Sequence, residues 1–262
     1  MNKPQWIVVS VAAVLFLLLY FGFDTKPGNH KEIEKQRVLA AVSTDINAML
    51  RDAKKSLSPQ ESASVLALEK ELEGTADTAK AHLYKRLSSL WYSLEKPGIS
   101  GYFAEKVAEA ESSEEAWSIA GTTYSICLQQ EQEEKVKAYC TQKAIQSLEN
   151  AASINPANIQ HKVNLALVHV ENPPKDNPMK GVLMLVEMNK HNPGNPVVLM
   201  QLGRLAVKTG QYDKAVERLE EALAAQPDNR TANCLLAQAY QGLGNSEKAK
   251  IFQQKCDLMS GL

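Results

Sequence analysis

Pro196–Asn229 reads PVVLMQLGRLAVKTGQYDKAVERLEEALAAQPDN. Leu199, Leu202 and Ala206 recur at helical steps, and Ala215, Leu219 and Ala222 do so again after a break. Gly210 sits between the two runs, where a residue that tolerates a left-handed backbone ends the first helix. Pro227 cannot continue the second helix and starts the next turn. Gly203 and Ala215 are small where two antiparallel helices cross closely, and Leu199, Leu202 and Leu219 fill the seam between them. The stretch predicts a helical hairpin.

The pattern repeats on both sides. Arg230 onward carries Asn233, Leu236, Ala237, Tyr240, Gly244 and Ala249 in register. Upstream, 159–195 has Leu165 and Ala166, a turn lengthened by Asn172–Pro178, then Gly181 and Leu185, and ends at Asn192-Pro193. Residues 114–158 carry Trp117, Ala120, Gly121 and Tyr124, then Ala144, Leu148, Ala151 and Pro156. About eleven extra residues between those halves extend both helices by more than a turn. Residues 81–113 form a degenerate unit with Tyr84, Leu87, Ser88 and Trp91, turning at Lys96-Pro97-Gly98. The period of about 34 residues, and the Trp117–Tyr124 match to W-x-x-L-G-x-x-Y, resemble the tetratricopeptide repeat. That resemblance covers roughly 81–262, in units 81–113, 114–158, 159–195, 196–229 and 230–262. It implies an all-α superhelix of stacked hairpins.

Trp6–Phe23 reads WIVVSVAAVLFLLLYFGF and holds no charge. As a helix it is roughly 27 Å long, and aromatic residues stand near both ends. The apolar run ends Tyr20-Phe21-Gly22-Phe23-Asp24 without a small-x-small cleavage site, so the expectation is a retained transmembrane anchor behind a tail of residues 1–5. Residues 24–29 form a linker. Residues 30–80 form a helical lead-in, whose second helix starts with Ser58 as N-cap, Pro59 at the first position and Glu61 completing a capping box.

Orientation is contested. Lys26, Lys31, Lys35 and Arg37 after the span outnumber Lys3 before it, which favours a cytoplasmic array. One span followed by repeats resembles bacterial membrane-anchored repeat proteins of the cytochrome c biogenesis factor type, and this implies a single pass through the inner membrane with the array in the periplasm. Secretion- or chaperone-linked repeat adaptors and envelope assembly factors are the alternative resemblance.

The chain is 44% hydrophobic and 23% charged with a formal net charge of −1, so no general attraction draws it to nucleic acid. His30, His82, His161, His169 and His191 form no H-E-x-x-H, and zinc spacing, phosphate loops and nucleophile elbows do not occur. No catalytic residue, cofactor or metal is expected. An enzyme or metal carrier on a repeat scaffold would need convergent ionisable residues, and the spacing gives none.

The resemblance implies that partners bind along the concave row of first helices. Carried over, that row includes Ser118 and Thr122 in one unit and Val163, Leu167 and Val170 in the next. It continues with Met200, Arg204, Val207 and Lys208, then Gln238 and Gln241. Val163 and Leu167 stand where the carboxylate clamp of chaperone-binding repeats has polar residues, so that clamp is absent. A groove apolar in its middle suits an extended or helical peptide. The alternative is that Val163, Leu167 and Val170 pack against a neighbouring segment.

Cys127 and Cys140 lie almost symmetrically about a turn near Glu133, so a hairpin brings them to similar heights and a disulfide is open to them. Cys256 is expected as a small buried hydrophobe, with a bond to Cys234 disfavoured. The last helix begins near Ser246 and carries Ile251, Phe252, Leu258 and Met259 with no capping helix after it. Those residues are expected to form an apolar interface, self-association included.

Overall fold

The computed structural model describes residues 46–76 and 79–259, and every regular element among them is helical. The predicted span Trp6–Phe23 lies outside the described residues. Among those described, no helix is long and apolar enough to cross a membrane. The chain divides into two compact units, Met1–Ala48 and Met49–Leu262. Of the first, only 46–48 are described, and they are helical.

The second unit holds the end of that helix, to residue 55, and then α1 (Pro59–Glu73), α2 (Ala81–Ser93) and α3 (Pro97–Glu111). Next come α4 (Glu114–Gln130), α5 (Glu134–Ile154), α6 (Ile159–Glu171) and α7 (Lys180–His191). The array ends with α8 (Pro196–Lys208), α9 (Tyr212–Ala225), α10 (Arg230–Gly242) and α11 (Ser246–Leu258). From α2 onward the helices pack as consecutive hairpins, each against the next, and first helices α4, α6, α8 and α10 also touch in series.

Local chemistry sets each boundary. Ser58 and Glu61 form the reciprocal capping box at the start of α1. First helices α4, α6, α8 and α10 start on side-chain caps from Ser113, Asn158, Asn195 and Asn229. Three of these caps stand in a Pro-x-Asn sequence, where the proline stops one hairpin and the asparagine oxygen takes the first free amides of the next. Gly210 has φ +72°, the left-handed turn that joins α8 to α9.

The seams are tight. A Cβ at Gly203 would lie 2.5 Å from Leu219 Cγ, so glycine alone lets α8 and α9 approach this closely. Trp91, Tyr124, Tyr139, Leu148, Leu199, Leu219 and Leu236 are fully buried between hairpins.

All four cysteines are bonded, and each bond staples one hairpin. Cys127 and Cys140 join α4 to α5 with Cα atoms 6.1 Å apart. Cys234 and Cys256 join α10 to α11 at 5.0 Å, against the expectation of a free Cys256. The reason is geometric: this pair is also symmetric about its hairpin turn, at Leu243–Asn245, and half-buried Cys234 points to α11.

Candidate protein-binding surfaces

The first-helix row is less apolar than the sequence suggested. Val163 is completely buried, packed with Leu185, Val198 and Leu202 where α6 meets α7 and α8. Its position faces the next hairpin, so it is no groove residue. Val170 crosses over Gly181: a Cβ there would stand 2.7 Å from Val170 Cγ2. Leu167, Met200 and Val207 are half-buried against the two seam clusters and keep only an edge outward. Thr122 is half-buried and donates its hydroxyl to Ser118 O, 2.9 Å away within its own helix. Ser118 is half-buried as well.

What remains open is polar. Arg204 and Lys208 on α8, and Gln238 and Gln241 on α10, are exposed on neighbouring first helices. Further up the row Ile119, absent from the sequence-based row, is an exposed apolar residue. It lines a depression of about 310 Å³ with Lys85, Ser89 and Glu115, and the helical-position pattern carried over from the repeat family omits it.

Two polar clusters hold the row in place. Glu114, in the first turn of α4, accepts from Asn158 Nδ2 at 2.7 Å and from Asn155 Nδ2 at 2.9 Å, with His161 Nε2 at 2.6 Å. Asn158 thus caps α6 and ties its start to the start of α4. The bonds from Asn158, His161 and Asn155 hold the Glu114 carboxyl down at about 2. Glu105, with 5% of its side chain exposed, accepts from Lys143 Nζ at 2.6 Å and from the Tyr124 hydroxyl at 2.8 Å. Burial, with Tyr139 and Glu105 beside it, pushes the Tyr124 hydroxyl well up. These donors and acceptors bond to one another inside the packing of α3, α4 and α5. Among the described residues no group of three His, Cys, Asp or Glu side chains could hold a metal ion.

At the C-terminal end the apolar residues divide. Phe252 folds back, its ring 5.6 Å from that of Tyr240 and nearly parallel, under the Lys255 ammonium. Met259 is half-buried, with its sulfur 3.9 Å from Asn233 Nδ2. Phe252 and Met259 therefore complete the last seam and offer little interface. Ile251 and Leu258 stay exposed, Leu258 at 78%.

A family model described as the tetratricopeptide repeat matches residues 200–254. No curated protein matches the sequence. Among solved structures the chain is similar to PilW, described as a widely conserved type IV pilus biogenesis factor. The identity is 18% and the TM-score 0.48 over 70% of this chain and 79% of that one. It is similar to MamA at 17% identity and a TM-score of 0.43, over 70% of this chain and 92% of that one. YrrB, described as a TPR protein with an unusual peptide-binding site, shows 20% identity and a TM-score of 0.38, over 74% and 92%. Likenesses this distant carry no argument about partner or pathway. The matched residues, 200–254, run from within α8 into α11, so the similarity to the tetratricopeptide-repeat model falls on the last two hairpins.

Proposed function

We propose that this chain is a membrane-anchored scaffold that holds a partner polypeptide along its first-helix row. The observation that carries the reading is the exposed polar set Arg204, Lys208, Gln238 and Gln241, within the repeat segment and outside its packing. The mixed charge and amide chemistry of that stretch fits a polar peptide segment better than the apolar one the sequence suggested. Trp6–Phe23 supplies the anchor in this reading.

The periplasmic side of a bacterial inner membrane is the proposed location. Pairing of every cysteine in the chain supports it, because disulfides persist in oxidising compartments. Cytochrome c maturation is the first pathway to test, on the architectural resemblance alone, with secretion-linked adaptors and envelope assembly next.

Affinity purification of the full chain from native membranes tests the groove. Arg204→Glu with Lys208→Glu should lower recovery of the partner at unchanged helical content, since reversed charges oppose a complementary surface. Undiminished recovery overturns the first-helix reading.

A further inference from the structure

Helix α7 is apolar on two sides. Gly181 and Leu185 face the seam and are buried, whereas Leu183 and Val186 point away and stay 53% and 44% exposed. A surface helix of a globular array normally turns a polar face outward. Here the outward side of α7, the start of α6 and the turn before it enclose a cleft of about 760 Å³. Leu183, Met184, Val186, Met188, Ile159 and Pro156 line its walls. Methionine side chains adapt to many apolar shapes, which suits a docking surface.

The rim is basic. Lys162 and Lys180 line it, and the Lys162 ammonium donates to Pro156 O at 3.2 Å and stays on the exposed rim. The one rim carboxylate, Glu187, already faces His191 Nε2 at 2.7 Å. The walls are helices whose backbone amides are internally bonded, so an extended peptide would leave its own amides without partners in an apolar cleft. A helix brings its backbone already satisfied.

From this geometry we propose that the cleft docks an amphipathic α-helix of a partner protein, apolar along one stripe and acidic at its flanks. The site lies on a second helix and does not depend on the first-helix row.

The test uses the full chain in zwitterionic nanodiscs, with empty discs as blank. The probe is a labelled synthetic helix of about four turns with Leu on one stripe and Glu on its flanks. Fluorescence anisotropy should show saturable binding. Leu183→Asp with Val186→Asp should weaken it about tenfold or more, as loss of central apolar contacts does, with circular dichroism unchanged because both residues are exposed. Lys162→Glu with Lys180→Glu should reverse the preference for Glu-flanked over Lys-flanked probe. Arg204→Glu with Lys208→Glu should leave probe binding intact, which separates this site from the row. Absence of binding, equal binding by the Asp variants, or equal binding by a proline-broken probe overturns the proposal. Two other results overturn it as well. Self-association of the probe-free chain that is lost in the Asp variants identifies a second copy as the occupant. Capture by anionic vesicles that requires Lys162 and Lys180 identifies a membrane surface.

Discussion

At Glu114 one carboxylate joins two units, and its acid behaviour follows from its partners. Its folded pKa of about 2 lies below the ordinary value of about 4.3. The stability it adds is therefore complete above about pH 4.3 and is lost as pH falls toward 2. Glu114→Gln should melt below the parent at neutral pH, and the gap should close by about pH 2, as read by thermal circular dichroism across that range. Lys143 presents the stricter case. Removal of its ammonium strands the buried Glu105 carboxylate, so Lys143→Ala should cost about 3–5 kcal/mol at neutral pH in chemical denaturation. Glu105→Gln with Lys143→Met should recover much of that loss. Neither cluster was legible in the sequence, because Glu105 and Lys143 are 38 residues apart and repeat spacing says nothing about polar pairs across helices. Val163 departs from the pattern for a related reason: the repeat spacing puts it in the groove, and the approach of Val198 and Leu202 from α8 makes it seam.

The helices themselves were far more legible. Pro-x-Asn junctions, Gly210 and the spacing of Leu199, Leu202 and Leu219 each act within a few residues, so local rules set the start, end and buried side of α8 and α9. Close crossing at Gly203 makes a sharp prediction: Gly203→Val would press a side chain into Leu219 and should cost about 1–3 kcal/mol in denaturant unfolding. Symmetry about a hairpin turn favours Cys127–Cys140 and Cys234–Cys256 alike, and both bonds form. Cys234→Ser should lower stability by about 2–4 kcal/mol, a difference that vanishes when both proteins are measured with reductant. Helix α7 hid its second face because Leu185 and Gly181 already explained its burial, and nothing in a periodic pattern says that Leu183 and Val186 lack a partner.

For the molecule as a whole, a sustained repeat made the all-α hairpin architecture readable, whereas partner identity resides in side chains that repeats leave free to vary. On membrane side two features oppose each other: flanking charges favour the cytoplasm and the paired cysteines favour the periplasm. Protease added to spheroplasts should digest the repeat array while Trp6–Phe23 keeps its fragment in the membrane, and protection of the array until lysis would reverse the assignment. The two staples also have a mechanical meaning. They close loops with sequence separations of 13 and 22 residues, and this withholds about 35 residues of contour, roughly 120 Å at ~3.4 Å each, from a stretched chain. Under tension between its ends the oxidised chain should yield that much less length than the reduced one, and the two stapled hairpins then bear load as short links that cannot pay out.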